Sequence, residues 1–188
     1  MTNSMFFLIR TIADLFLTIL LLRFIFQYLR VDFYNPISQF VYKATAPLTM
    51  PIQKVFKFLP IEIICFTILL LFQALYILLM QQLITITSAG LITFEFDPIG
   101  IVWLAIKRLT SEAVWLFTLS IFFHALLSWF GTAYHSPIGR LLSEINEPLL
   151  RPIRKFLPSS VGLDFSPLIA LIILNALRVG LTMPNYLM

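Results

Sequence analysis

Four stretches of this sequence, residues 5–29, 61–85, 112–130 and 167–186, are almost wholly apolar and long. Crossing hydrocarbon roughly 30 Å thick takes about 20 mainly apolar residues as helix. Within lipid every backbone N–H and C=O must be satisfied inside the segment, so helices are expected. Composition points the same way, with 60% hydrophobic residues, 12% charged, nineteen Phe and a mean hydropathy of +0.94. Average soluble domains carry about 25% charged residues, roughly twice this share. The chain is therefore read as an all-α membrane protein with four transmembrane helices.

The first stretch has no positive leader, contains Arg10 and Asp14, and is followed by no small-residue cleavage site, so it is expected to stay as a span. A shorter apolar run, 99–106, ends in Lys107 and Arg108. It fits either a short interfacial helix or an early start of the third span.

The two halves repeat one unit. Shifting the sequence by 101 residues lays 35–54 on 136–155 with 7 identities in 20 positions. Random pairing of ordinary compositions gives roughly one or two. The pattern predicts two parallel helix–amphipathic loop–helix repeats, related by a pseudo-twofold along the membrane normal. The first repeat is 1–90 with basic loop 30–60, and the second is 111–188 with basic loop 131–166. Residues 91–110 connect them and hold the candidate interfacial helix.

The shared loop residues have physical reasons to be there. Asn35 and Ser136 suit a helix N-cap, and Pro36 and Pro137 suit the first helical position, where no N–H is needed. Apolar residues follow at 37, 40, 41 and 44, and at 138, 141, 142 and 145, one face of a helix in each copy. Pro47 and Pro148 are expected to end that helix, and Pro51 and Pro152 to start another short turn. An apolar face beside Lys54 and Lys57, or beside Arg151, Arg154 and Lys155, is the chemistry of an interfacial helix on anionic headgroups. Packing on the span ends as a cap is the compatible alternative. Nucleic acid is not expected as a partner, because four cations per loop already satisfy the topology rule.

That rule also orients the chain. The two loops carry Arg30, Lys43, Lys54 and Lys57, and Arg140, Arg151, Arg154 and Lys155, against Arg10, Lys107 and Arg108 on the other side. Eight against three predicts cytoplasmic loops and both termini outside.

Asp32-Phe33-Tyr34-Asn35-Pro36, the Pro47/Pro51 pair, the run from Pro148 to Lys155, and Gly162-Leu163-Asp164-Phe165-Ser166-Pro167 resemble the bacterial YggT family over nearly the whole chain. Two features depart from that pattern. Gln53-Lys54 stands where the family tends to have two arginines, and Val161-Gly162 replaces a glycine pair. A carry-over needing bidentate arginine in the first loop is weakened accordingly. The resemblance implies a small inner-membrane protein with a double motif. It also implies links to osmotic and potassium homeostasis, to cell division, and in plastids to cytochrome maturation or nucleoid organisation.

Polar residues within the spans are the remaining leads, since they are costly there and often functional. Arg23 and His124 are equivalent positions of the two repeats. Arg23 can snorkel to the headgroups, and His124 can hydrogen-bond a neighbouring helix or relay protons. Asp14 has two candidate partners, Arg178 at a matching depth on the fourth span and Arg10 one turn away on its own helix. Ser166 is expected to cap the fourth span with Pro167 at its first position, and Asp164 to complement the helix dipole.

Two histidines and the single Cys65 supply no metal spacing, and no phosphate loop, nucleophile elbow or paired-carboxylate motif is present. No cofactor or enzymatic activity is expected. The expected function is a membrane scaffold or assembly factor whose loops engage anionic lipid, a membrane-protein partner or a second copy. The alternative is a small transporter or channel subunit with polar residues at the repeat interface.

Overall fold

Helix is the only regular structure among the described residues of the computed structural model, which are 2–87, 97–129, 136–156 and 164–181. It forms six segments: α1 (Thr2–Tyr28), α2 (Pro36–Val55), α3 (Ile61–Thr87), α4 (Pro98–Trp129), α5 (Pro137–Phe156) and α6 (Ser166–Leu181). Two of them, over Ile61–Ile86 and Pro98–Ser128, are long and apolar enough to cross a membrane. No proline or glycine interrupts the 27 residues of α3, so its apolar run propagates as one helix.

The helix starts follow from short polar caps. The Asn35 side-chain oxygen accepts the Ile37 N–H at 3.0 Å, and the Ser136 hydroxyl accepts the Gly139 N–H at 3.1 Å, as expected of N-caps. Asp97 does the same for α4, accepting from Ile99 at 3.1 Å ahead of Pro98. A Cβ at Gly100 would lie 2.5 Å from the Asp97 carboxylate, so glycine leaves room for the cap to fold back. In α6 the first helical residue is Ser166 itself, and Asp164 accepts its N–H at 2.9 Å. The expected cap is thus displaced, with a carboxylate taking the hydroxyl's place.

At the end of α1 the Val31 N–H reaches the Phe26 carbonyl at 2.9 Å and the Arg30 N–H reaches Gln27 at 3.1 Å. Arg30 adopts φ 54° to close this Schellman stop, a position where glycine is usual.

One open choice is decided and one expectation is corrected. Residues 99–106 are no separate interfacial element but the first turns of α4, which runs 32 residues without a break. The prolines do not end the loop helices: α2 continues through Pro47 and Pro51, and α5 through Pro148 and Pro152. All four lie on exposed faces, where the carbonyls they leave unbonded can meet water or headgroups. On α2, Thr45 and Thr49 hydroxyls bond back to the Val41 and Thr45 carbonyls at 2.7 and 3.1 Å. The last residues of the expected fourth span, 182–186, and loop residues 131–135 and 157–163 lie outside the described residues.

The chain divides into two compact units. Unit 1 is 1–24 with 41–109, and unit 2 is 25–40 with 110–188. In unit 1, α1 and α3 run antiparallel, since Phe16 meets Phe72 and Phe24 meets Phe66, each with ring centroids 5.5 Å apart. Leu17, Leu20, Leu21, Ile68, Leu69 and Ala105 are among its buried apolar residues. In unit 2, Val114 and Ile121 of α4, Leu150 of α5, and Ala170 and Leu174 of α6 form one buried cluster.

Candidate functional site

The loop helices present cations and large apolar groups together. On α2 and just beyond it, Phe40, Met50, Val55, Phe56 and Phe58 are exposed, as are Lys43, Lys54 and Lys57. A cleft of about 400 Å³ opens beyond the end of α2, with Gln53, Lys57 and Glu62 among its walls. The Gln53 amide nitrogen is buried there and meets no acceptor. On α5, Arg151 and Lys155 are exposed beside Phe156, whereas Ile145, Asn146 and Leu150 are turned inward.

Arg154 differs from its neighbours. Its guanidinium is held by Glu147 and by Asp164, each at 2.9 Å, tying α5 to the residues that open α6. Arg154, expected from sequence to act with Arg151 and Lys155, is thus also paired within the chain. Burial pushes the Asp164 carboxyl up, but hydrogen bonds from the Ser166 hydroxyl and N–H, and then Arg154, outweigh it and hold the group below its ordinary value. A depressed carboxylate contributes stability at pH values above its unfolded value, and loses it as pH falls through the folded one. Thermal stability in detergent should therefore decline as pH drops below 3.8, the ordinary value of this group. Asp164→Asn should remove that part of the decline; an unchanged acid limb would show that the ion pair does not couple to folding.

Within unit 2, Asn35 of the first loop donates its amide to the Pro137 carbonyl at 2.7 Å, and the Asp32 N–H donates to Glu144 at 2.9 Å. The two cap motifs are therefore joined directly. His124 is 5% exposed, buried on α4 within the same unit. Arg178 stacks on the Trp115 ring at 4.4 Å, a cation–π contact between α6 and α4.

In unit 1, Arg23 does not snorkel outward. It is 4% exposed, lies 4.0 Å over the Tyr42 ring, donates weakly to the Tyr42 carbonyl at 3.4 Å and lies beside the Cys65 thiol. This locks α2 against α1 and α3.

Of the two candidate partners for Asp14, Arg10 is found beside it, together with one that sequence reading did not weigh. Asp14 is bound by Arg108 of α4 at 2.6 Å, with Arg10 at 3.7 Å from its second oxygen. Arg108 in turn stacks on Tyr76 of α3 at 4.1 Å. Arg108 was read from sequence as an interfacial charge. Because α4 begins at Pro98, Arg108 instead lies about 15 Å along it. Gln73, one turn from Tyr76, and Asn146 are also fully buried, and sequence reasoning passed over both.

These features define a chain that is all-helical in its described residues, with two helices long and apolar enough to cross a membrane. The chain belongs to the CCB3/YggT family, whose profile matches residues 2–86 and 103–184. It is similar to an uncharacterized protein of Vibrio alginolyticus, 35% identical over 186 residues, covering 99% of this chain and 94% of the relative. The uncharacterized YggT protein of Escherichia coli is 32% identical over 180 residues, covering 95% and 89%. No solved structure matches.

Proposed function

We propose that this protein is a non-enzymatic inner-membrane scaffold or assembly factor. Its four spans, α1, α3, α4 and α6, carry α2 and α5 as cytoplasmic interfacial helices, with both termini outside. The observation that carries the reading is what α2 and α5 share: exposed Phe40, Phe56 and Phe58 on or just beyond α2 beside Lys43, Lys54 and Lys57, and exposed Phe156 at the end of α5 beside Arg151 and Lys155. Aromatic side chains enter the headgroup boundary while cations meet anionic lipid. The cleft beside Lys57 and Gln53 suits a phosphate headgroup. Two further facts support a parallel repeat. Both helices have 20 residues with prolines at matching positions, and the two family matches begin 101 residues apart (103 − 2), the shift that aligns the loops.

The partner held on this platform is a second membrane protein or another copy of the chain. Links to osmotic or ion homeostasis or to cell division fit a platform of this kind. The mid-helix Asp14–Arg108 pair favours a second reading, a small transporter or channel subunit, which flux from the purified protein in vesicles would support.

The test combines sidedness with depth. In a Cys65→Ala background, cysteines at exposed Ala44 and Ile138 should resist impermeant thiol reagents in intact cells. A spin label at Phe156→Cys should sit deeper in anionic than in neutral bilayers, and high salt should reduce the difference. Ready labelling from outside would reverse the topology, and equal depth in both bilayers would remove the electrostatic contact.

A further inference from the structure

Gln73 lies near the middle of α3, is 0% exposed, and neither its amide nitrogen nor its oxygen has a hydrogen-bond partner within the protein. A buried amide left in that state costs roughly 1–3 kcal/mol or more. A leucine there would fill the same space without that cost, so the amide needs a ligand that both donates and accepts. Its surroundings show where one fits. Gln73 and Tyr76 are three residues apart and share a helix face. The Tyr76 ring carries the Arg108 guanidinium, which holds Asp14 at 2.6 Å. Asp14 and Arg108 are 38% and 28% exposed, whereas Gln73 is fully buried. Three helices, α1, α3 and α4, thus converge on a charge pair, and an unsatisfied carboxamide lies three residues along α3 from the ring that Arg108 stacks on.

We propose that this cluster is a water-binding site, in which bound water bridges the Gln73 carboxamide to the Tyr76–Arg108–Asp14 group. Water supplies both hydrogen-bonding roles and usually makes about three such bonds at buried polar sites. It lets the Asp14–Arg108 pair keep part of its hydration at a depth where dry charges are expensive. A charge pair hydrated in the middle of its helices is also reachable by small polar solutes. Only the depth of the site rests on the four-span reading; the cluster lies within unit 1 whichever way the chain crosses the bilayer.

Thiolates form and react in water, and hardly at all in a dry apolar core. In detergent-purified Cys65→Ala protein, Gln73→Cys should react with a small hydrophilic methanethiosulfonate at least about ten-fold faster than Leu69→Cys, one turn away and 1% exposed. Equal rates in folded protein would overturn the site. Hydroxyl-radical footprinting of the unaltered chain decides the matter if either variant misfolds. Tyr76 is 5% exposed, yet bound water should let it oxidise within about ten-fold of Tyr34, which is 85% exposed. Stronger protection of Tyr76 would refute the proposal. Neither measurement depends on sidedness, so a failed topology and a dry Gln73 would be told apart.

Discussion

Asp14→Asn is expected to lower stability in detergent more than Arg108→Gln, although the two side chains form one ion pair. Removing Asp14 takes away the carboxylate that Arg10 and Arg108 share and leaves two cations facing each other, a loss of about 1–3 kcal/mol. Removing Arg108 leaves Asp14 with Arg10, already 3.7 Å from its second oxygen and able to close in. That loss should stay near 1 kcal/mol, because exposed pairs of this kind are weak. The double variant should recover part of the sum, with a coupling of about 0.5–3 kcal/mol, as contacting residues show. Arg178→Gln should add independently to Asp14→Asn, since Arg178 is engaged with Trp115. Equal single losses with no coupling would show that the 2.6 Å contact is not maintained.

How this pair was missed shows where sequence reasoning ended. The apolar runs placed α1 and α3 within a few residues, because their periodless hydrophobicity leaves a buried or lipid-facing helix as the only option. The caps Asn35 and Ser136 were readable from residue chemistry. The same signal stood at Asp97-Pro98 and marked the true start of α4. Lys107 and Arg108 obscure it, because charges after a short apolar run fit the end of an interfacial helix as well as an early start of the third span. With α4 begun at Pro98, Arg108 falls inside the helix and becomes available to Asp14.

The prolines failed for a different reason. Inside a helix proline removes one hydrogen bond, but the cost is tolerable on an exposed face where the freed carbonyl is solvated. Exposure of Pro47, Pro51, Pro148 and Pro152 is a tertiary fact that spacing does not contain. Arg154 was grouped with Arg151 and Lys155 because they are neighbours in sequence. Its capture by Glu147 and Asp164 depends on the packing of α5 against α6.

That packing sets the second large effect. Leu150 is 1% exposed within the cluster of Val114, Ile121, Ala170 and Leu174, so Leu150→Ala should cost about 2–5 kcal/mol as a large-to-small change in a closed core. Arg154→Gln breaks two ion pairs, yet its partners are half exposed and such pairs contribute about 0.2–1 kcal/mol each. The two variants therefore separate what holds α5 from what orders its end. Leu150→Ala should lower the unfolding midpoint in detergent and, in folded protein, free α5 to move against α4 and α6. A spin label at Phe156→Cys would report that motion. Arg154→Gln should leave the midpoint nearly unchanged and loosen only the contact between the end of α5 and Asp164. Asn146 sharpens the comparison: it is 0% exposed with both amide atoms unpartnered, one turn before Leu150 on the same helix. Asn146→Leu should raise stability by about 1–3 kcal/mol if that buried amide is dry. Should Arg154→Gln prove as damaging as Leu150→Ala, α5 would be held by its charges, and salt would detach it. With apolar burial dominant, α5 keeps its place at any ionic strength.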